Sequence, residues 1–327
     1  MSTDSTAARA AVEVVGRLDP EEIRLVSALV ERATEVDGVR PLSEHVTLHL
    51  RYGGEEPVRN VLAYVDGTLA GYAHLDVTDL VAGSSAEVVV DPEQRRHGLG
   101  RLLVRTLVDE SPDGRLRLWA HGEHPSARAL AESMGFVVSR ELWQMRRSLY
   151  STLPAAEVPA GVELRTFRPG DDDEEWVALN ARAFAGHPEQ GAWTIDDLHR
   201  RVAEPWFDPA GFFVAERAGA MVGFHWTKVH GGDQDHSHET LGPHAHEGHA
   251  HDPVGEVYVV GVDPAEQGSG LGRALTHVGL RHHRALALPE VMLYVDADNA
   301  AAIRLYTGLG FTHWDTDVMF RAPTSVS

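Results

Sequence analysis

The feature that most constrains this chain is an internal repeat. Residues 87–103 match residues 259–275 at a constant offset of 172, and both segments contain Asp-Pro followed by Gly-Leu-Gly. Farther along, residues 134–136 and 309–311 repeat a hydrophobic residue, a glycine and a phenylalanine at an offset of 175. Self-similarity over such a distance predicts two copies of one folding unit, and 327 residues are enough for two domains of ordinary size.

The two copies differ by an insertion in the second. Upstream of the repeat, Gly71-Tyr72 matches Gly223-Phe224 at an offset of only 152, so the second copy holds about 20 extra residues within the histidine-rich segment 230–251. Between the copies, residues 153–161 carry two prolines and a glycine without hydrophobic periodicity, which is typical of a linker. We therefore predict an N-terminal domain over 1–152, a linker over 153–161 and a C-terminal domain over 162–322 with an insert over 230–251.

Composition and charge exclude several classes of function. The chain has 29 Lys and Arg against 49 Asp and Glu, a net charge of −20, and a surface of that sign repels nucleic-acid phosphates. It has no cysteine, so disulfides, thiolate zinc sites and a cysteine nucleophile are ruled out. The first residues are polar, and no stretch approaches about 18 uninterrupted apolar residues. We therefore expect a soluble, cytoplasmic monomer that binds neither nucleic acid nor membrane.

The order of secondary structure is the same in both copies: a helix, antiparallel strands, a glycine loop, a helix, a strand, a helix and a strand. The first helix should begin at Pro20, because Asp19 is a typical N-cap and Glu22 can complete a capping box. A hairpin is predicted where Asp66-Gly67 separates two apolar runs. The predicted fold class is α/β of the α+β type, with two tandem domains that each have a mixed, largely antiparallel sheet flanked by helices.

A glycine loop follows a central strand of each copy. In the second copy Gln267-x-x-Gly270-x-Gly272 lies between an apolar strand and an amphipathic helix, and the first copy has Arg95-x-x-Gly98-x-Gly100 at the same place. Glycines let backbone N–H groups approach an anion, and the start of a helix favours negative charge. The pattern resembles the acyl-CoA diphosphate loop of the GNAT acetyltransferase superfamily. A simple tight connection or a dinucleotide-binding loop fits the two matching copies and the glycine spacing less well.

Acid–base groups for acetyl transfer occur in only one copy. Transfer from a thioester to an amine needs a base for the amine and a proton for the departing thiolate. Glu256 starts the strand that leads into the second glycine loop, and Tyr306 lies on the helix before the last strand. The repeat places Ser84 and Ala131 at these positions in the first copy, although each residue alone could be an ordinary strand carboxylate or core tyrosine. Their joint absence favours a catalytic C-terminal domain and a degenerate N-terminal domain that either binds acetyl-CoA or only supports the fold.

A narrower resemblance rests on six strings spread over nearly the whole chain. They are Val36-Asp37-Gly38 with Glu44, residues 119–122 (Trp-Ala-His-Gly), 185–191 (Ala-Gly-His-Pro-Glu-Gln-Gly), 206–209 (Trp-Phe-Asp-Pro), 223–230 (Gly-Phe-His-Trp-Thr-Lys-Val-His) and 255–259 (Gly-Glu-Val-Tyr-Val). Together they resemble the mycothiol synthase family, which has tandem GNAT domains with activity in the C-terminal one. That family uses acetyl-CoA to acetylate the cysteinyl amine of a cysteine–glucosamine–inositol conjugate, the last step of mycothiol biosynthesis. The resemblance implies the same acetyl-CoA-dependent N-acyltransferase activity, with this pseudo-disaccharide amine as the small-molecule substrate.

The resemblance also assigns roles to individual residues. Glu256 resembles the family's base and Tyr306 its acid. The implied substrate contacts are Glu44, Glu189, Lys228, Glu256 and Tyr294. The implied acetyl-CoA contacts of the C-terminal domain are Val260, Gly261, Val262, Gln267, Gly268, Ser269, Gly270, Leu271, Gly272, Arg273, Asn299, Ala300, Ala301, Ala302, Ile303 and Arg304. A first-domain acetyl-CoA site is implied at Val88, Val89, Val90, Arg96, His97, Gly98, Leu99, Gly100 and Arg101. Three carboxylates and one ammonium suit a polyhydroxylated substrate that carries a cationic amine.

The histidine-rich insert departs from the family pattern. Seven histidines lie between His230 and His251, a composition that can bind Zn, Ni or Cu adventitiously. We favour a functionally neutral insert, because acetyl transfer needs no metal. Two alternatives to the main hypothesis stay open at this point: a tandem GNAT enzyme that acts on an aminoglycoside or a peptide N-terminus, and a non-catalytic acyl-CoA-sensing or metal-buffering module.

Overall fold

The structure is a computed structural model and describes residues 10–43, 46–47, 49–50, 58–78, 83–112, 114–230 and 253–323. The strands are β1 (Ala10–Val15), β2 (Val58–Val65), β3 (Thr68–Asp76), β4 (Ser84–Val90), β5 (Leu116–Ala120), β6 (Val137–Ser148), β7 (Val162–Thr166), β8 (Phe212–Arg217), β9 (Ala220–His230), β10 (Val254–Val262), β11 (Glu290–Asp296) and β12 (Thr312–Arg321). The helices are α1 (Pro20–Asp37), α2 (Leu99–Glu110), α3 (Pro125–Ser133), α4 (Asp173–Ala183), α5 (Pro188–Gly191), α6 (Ile195–Val202), α7 (Leu271–Ala285) and α8 (Ala300–Gly308). None of the helices in this part of the chain is long and apolar enough to cross a membrane.

The chain forms two compact units that are not continuous segments. Unit 1 contains the described residues up to 143, residues 296–298 and the described residues from 315 onward, whereas unit 2 contains residues 144–295 and 299–314. The strand order in unit 1 is β1-β2-β3-β4-β5-β12-β6, and in unit 2 it is β6-β11-β10-β9-β8-β7. Strands β6 and β12 each supply residues to both units, and in unit 1 residues 318–321 of β12 pair with β5.

The strand pairings confirm the predicted fold class. Strand β4 runs parallel to β5, and β10 runs parallel to β11. The pairs β1–β2, β2–β3, β3–β4, β7–β8, β8–β9, β9–β10 and β5–β12 are antiparallel. Each unit is therefore a mixed, largely antiparallel sheet with helices packed against it.

The core of unit 1 follows from the alternation of its strands. Val61 and Ala63 of β2 pack with α2 on one face of the sheet, and Leu62 between them packs with α1 on the other. The start of α1 is as predicted, because the Asp19 carboxylate accepts from the Glu22 N–H at 2.8 Å and the Glu22 carboxylate accepts from the Asp19 N–H at 2.7 Å. The predicted hairpin also forms, with β2 and β3 joined at Asp66 and Gly67.

The core of unit 2 is strongly aromatic on the face that carries α4 and α6. Phe212 and Trp226 stack with ring centroids 4.4 Å apart, and Trp176 of α4 meets both rings edge-on. On the opposite face Leu271 and Leu275 of α7 pack beside β8. The aromatic layer holds β9 and β10 in place, and these two strands carry the candidate site.

Candidate active site

The parallel strands β10 and β11 separate at the candidate site. Their register joins Val254, Gly255 and Glu256 to Glu290, Val291 and Met292, and it ends there although β10 continues to Val262. In the described part of the chain, the parallel register with β11 does not continue past Glu256, so residues 260–262 lie beyond the point where the two strands separate and can line an extended ligand. The predicted acetyl-CoA contacts Val260, Gly261 and Val262 lie on this stretch.

The predicted glycine loop leads from the end of β10 into α7. Gly268 and Gly270 have φ angles of 80° and 89°, which L side chains rarely adopt, and an added Cβ would meet nothing within 4 Å at either position. The glycines are therefore required by backbone conformation rather than by lack of space. Gly270 is the N-cap of α7 and offers no side-chain cap, while the Leu271 N–H reaches the Ser269 hydroxyl at 3.3 Å. The N-terminal amides of α7 form a positive end suited to a diphosphate.

Glu256 is a buried carboxylate with a defined partner. It is 7% exposed, and its Oε2 lies 2.6 Å from Nε2 of His230. Burial by itself raises the pKa of a carboxyl group, but the hydrogen bond from His230 and the positive charge of Lys228 hold the pKa of Glu256 below its usual value. Glu256 is therefore ionised at neutral pH.

The backbone beside Glu256 is fixed by a buried histidine. Nε2 of His283, on α7, lies 3.0 Å from the Glu256 carbonyl oxygen and donates to it. Burial lowers the pKa of His283 to about 4, so the ring is neutral at pH 7. A Cβ on Gly255 would lie only 2.7 Å from this ring. Glycine at position 255 therefore allows His283 to approach the strand and hold it.

Lys228 lies opposite Glu256 on β9 and is buried. Its Nζ is 4.4 Å from the ring centroid of Trp206 and 5.5 Å from that of Tyr258. The ammonium thus sits against two aromatic faces rather than on the surface as an ordinary strand-end cation. It supplies positive charge to the face of the sheet that carries the Glu256 carboxylate.

Tyr294 lies on β11, two residues beyond the partner of Glu256 and on the same face of the sheet. It is 40% exposed, and its hydroxyl accepts a hydrogen bond from Nε2 of Gln144 at 2.8 Å. The structure therefore brings Lys228, Glu256 and Tyr294 together on neighbouring strands. Their contacts with substrate stay a prediction.

Tyr306 is half-buried on α8, the helix between β11 and β12. Its ring packs edge-on against Phe311 with centroids 5.8 Å apart. Burial raises the pKa of Tyr306 to about 12, so its phenol keeps its proton at neutral pH. At the start of the same helix, Asn299 acts as N-cap by accepting from the Ala302 N–H at 3.1 Å. Residues 299–304, predicted to contact acetyl-CoA, thus form the first turn of α8 and its cap.

Two predicted substrate residues cannot be placed fully. Glu44 lies outside the described residues, as do residues 231–252, which include all of the histidine-rich insert except His230. Glu189 lies on the short helix α5, of which the backbone is described but not this side chain. Within the described ranges no three His, Asp or Glu side chains are placed to hold a metal ion.

Unit 1 repeats the backbone of the site with different side chains. Its parallel pairing ends at Glu87 and Trp119 while β4 continues to Val90, and Gly98 at the start of α2 has φ 90°. The predicted first-domain residues 88–90 and 96–101 occupy this strand and loop. Unit 1 therefore has the same order of strand, positive-φ glycine and helix as unit 2, although its parallel pairing extends to Glu87, which the repeat aligns with Val259 rather than with Glu256.

A buried ion cluster lies where β4 and β5 separate in unit 1. His121 Nδ1 is 2.9 Å from Asp317 Oδ2, and its Nε2 is 3.6 Å from Glu87 Oε2. The same Glu87 oxygen accepts from the Ser43 N–H at 2.6 Å, and Asp317 accepts from the Gly122 N–H at 2.9 Å. The carboxylate at this point is therefore engaged by an imidazole and a backbone amide.

The roles of His230, His283 and the aromatic residues around Lys228 were not predicted from the sequence. One signal was present: Lys228 and His230 are two residues apart on a strand, so their side chains share a face. His283 carried no local signal, because its contact with Glu256 joins α7 to β10 and spans 27 positions along the chain.

Comparisons with known proteins agree with this geometry. A model of the "Acetyltransferase (GNAT) family" matches residues 24–136 and 174–311. The chain is 59% identical to the mycothiol acetyltransferase of Acidothermus cellulolyticus over 94% of each chain. It is 56% identical to that of Streptosporangium roseum over 95% of this chain and 99% of the relative.

Solved structures are similar in fold. A GCN5-related N-acetyltransferase from Sphaerobacter thermophilus matches with a TM-score of 0.66 and 26% identity, covering 96% of this chain and 95% of that one. A tandem GNAT protein from the clavulanic acid biosynthesis pathway matches with a TM-score of 0.70 and 18% identity, covering 97% and 99%. Because the second match is only 18% identical, it supports the fold alone.

Proposed function

Since the chain belongs to the mycothiol acetyltransferase family of tandem GNAT proteins and is an acetyl-CoA-dependent N-acyltransferase, we propose that it acetylates the cysteinyl amine of the cysteine–glucosamine–inositol conjugate. This reaction is the last step of mycothiol biosynthesis. The acetyl donor is acetyl-CoA, and the amine nitrogen attacks the thioester carbonyl directly. The reaction takes place in unit 2, which carries Glu256 and Tyr306.

The observation that carries the proposal is the position of Glu256. Its buried, ionised carboxylate lies where β10 and β11 separate, on the strand that leads into the Gly268–Gly272 loop. A donor whose diphosphate lies on the start of α7 would run along β10 and bring its thioester toward this point. A carboxylate there both attracts an ammonium ion and accepts the proton that the nitrogen must lose before it attacks.

Tyr306 is the proposed acid. When the tetrahedral intermediate collapses, the carbon–sulfur bond breaks and the CoA thiolate requires a proton. The half-buried phenol has a raised pKa, so it is fully protonated at neutral pH and can donate this proton. Lys228 and Tyr294, together with Glu44 and Glu189, are the proposed contacts for the polar groups of the acceptor. Residues 260–262, 267–273 and 299–304 are the proposed contacts for acetyl-CoA, and residues 88–90 and 96–101 are those of a second acetyl-CoA site in unit 1.

Release of free CoA from acetyl-CoA, measured with the desacetylated conjugate as acceptor, tests the proposal. Glu256→Gln should lower kcat/KM by about 100- to 10,000-fold, and Tyr306→Phe should lower kcat by at least about tenfold. Glu216→Gln is a matched control, since it neutralises a carboxylate of the same unit that pairs with Arg165. An aminoglycoside or peptide N-terminus that outcompetes the conjugate would overturn the proposed acceptor, and full activity of Glu256→Gln would overturn the proposed base.

A further inference from the structure

His230 ends β9 and touches the proposed base directly. Its Nε2 lies 2.6 Å from Oε2 of Glu256. The carboxylate side chain is 10% exposed to solvent, whereas the imidazole side chain is 36% exposed. Strand alternation places His230 on the same face as Lys228, and Lys228 lies opposite Glu256 in the register. The imidazole therefore connects the buried carboxylate with the surface of unit 2.

The proton balance of acetyl transfer requires such a connection. An α-amine with an ordinary pKa near 8 is mostly an ammonium ion at pH 7. When R–NH3+ becomes the amide R–NH–CO–CH3, the nitrogen loses two protons. The CoA thiolate takes up one of them as the carbon–sulfur bond breaks. The other proton must leave the site in every turnover.

Glu256 is well placed to receive this proton and poorly placed to release it to water. The carboxylate is buried away from water, and its low pKa means that the protonated form readily gives its proton to a base that stands next to it. Imidazole is the side chain that gains and loses a proton most readily near neutral pH. His230 is within hydrogen-bonding distance and opens toward solvent.

Resting on the function proposed above, we propose that His230 is a positioning residue that orients the Glu256 carboxylate and carries its proton to solvent. The proton passes from the amine nitrogen to the Glu256 carboxylate. The imidazole, which at rest donates Nε2–H to the carboxylate, exchanges that proton through water for one on Nδ1. Nε2 then accepts the proton of the carboxyl group, and Nδ1 releases its proton to water. Both side chains return to their starting charge, and one proton is released for each acetyl group transferred.

The other charged or titratable groups that face Glu256 serve different purposes. Lys228 from β9 is an ammonium held against the rings of Trp206 and Tyr258. His283 from α7 donates to the backbone carbonyl of Glu256, and its low pKa makes it a poor proton acceptor. In the part of the chain that the structure describes, His230 is the histidine whose side chain forms a hydrogen bond with the Glu256 carboxylate.

Steady-state kinetics of His230→Gln test the relay. We expect kcat to fall about 100-fold at low buffer concentration while KM for acetyl-CoA is unchanged. Added imidazole should restore much of the loss, because a small base can take the proton from Glu256, whereas it cannot repair a folding defect. The pH dependence of kcat should also change in the variant, because an imidazole is removed from the proton path.

His199→Gln is the matched control. His199 also places Nε2 2.6 Å from a buried carboxylate, Asp173, but on α6 and at a pair with no proposed part in catalysis. An equal loss in the two variants would overturn the relay. So would a His230→Gln enzyme that keeps the wild-type pH profile and gains no activity from imidazole.

An NMR measurement without substrate separates failure of the relay from failure of the proposed function. The Nε2 resonance of the His230 imidazole should move between the wild type and Glu256→Gln, because the carboxylate that accepts its hydrogen bond is gone. An unchanged resonance would overturn the coupling even if acetyl transfer is observed. A wild-type enzyme that shows this coupling but releases no CoA would overturn the proposed function instead.

Discussion

Each unit places a buried carboxylate where its parallel strands separate, and the two carboxylates differ in their partners. Glu256 in unit 2 contacts a partly exposed imidazole. Glu87 in unit 1 is engaged by the Ser43 N–H and by His121, which also contacts Asp317. The carboxylate of unit 1 is thus committed to a closed ion cluster, which supports the proposal that acetyl transfer takes place in unit 2.

His121 should make the protein sensitive to alkaline pH. Burial by itself lowers the pKa of an imidazole, but Asp317 and Glu87 raise the pKa of His121 to about 10. A raised histidine pKa contributes stability that is fully present below about pH 6.5, the unfolded value, and is lost as the pH rises toward 10. We expect the difference in unfolding free energy between wild type and His121→Gln to shrink over this range in urea denaturation. A difference that does not vary with pH would contradict the ion cluster.

The residues of the site were only partly predictable. The sequence places Lys228, Glu256 and Tyr294 on strands, and the structure brings them onto one face. The partners that set their chemistry could not be predicted, because each depends on contacts across strands. His230 was grouped with the histidine-rich insert, although the structure assigns it to β9.

At the scale of single elements, a bulge in β10 changes the comparison between the two copies. Val257 and Val259 pair with the adjacent residues Thr227 and Trp226, so Tyr258 is an extra residue. Counting from the glycine loop at a constant offset puts Glu256 at Ser84, whereas the register puts it at Ser85, opposite Asp76. A single bulged residue cannot be recognised from the sequence. Helix start signals such as the capping box of α1 can be recognised, and that helix begins where predicted.

The glycine loop has room for an added side chain, but its positive φ angles make a residue other than glycine strained. Gly270→Ala is expected to cost about 1–2 kcal/mol of stability because of its positive φ. It should also raise KM for acetyl-CoA about tenfold by shifting the amides at the start of α7, a change equivalent to about 1.4 kcal/mol. Initial rates at varied acetyl-CoA would measure it.

Gly219→Ala is the control for this variant. Gly219 lies in the turn between β8 and β9 with φ 80°, and an added Cβ there also meets nothing within 4 Å. It should lose comparable stability and keep KM. Equal effects of both variants on KM would contradict a donor-binding role for the loop.

At the scale of the whole molecule, the repeat predicted two alike units but not the path of β12. Sequence similarity shows which segments are related and is silent about which strand completes which sheet. Val318, Phe320 and Ala322 lie within the predicted C-terminal domain, 162–322, yet belong to the core of unit 1. The predicted limits of the N-terminal domain (1–152), the linker (153–161) and the C-terminal domain (162–322) were drawn from the sequence repeat, and they remain a proposal.

Phe320→Ala should therefore destabilise the unit formed mainly by the first copy. The ring is 2% exposed, and its removal should cost about 3–5 kcal/mol. Hydrogen exchange should lose protection first in peptides that cover β4 and β5. Leu293→Ala, at a residue of β11 that is 1% exposed, should instead affect β10 and β11. Loss of protection confined to β10 and β11 in Phe320→Ala would refute this assignment.

The position of β12 also matters while the polypeptide is being made. Domains of a growing polypeptide generally fold in order from the N-terminus. Here β1 to β5 leave the ribosome long before residues 318–322, which fill their hydrophobic interior. The edge of β5 therefore stays unpaired until all of unit 2 has been translated. During that interval it can form strand pairs with neighbouring nascent chains.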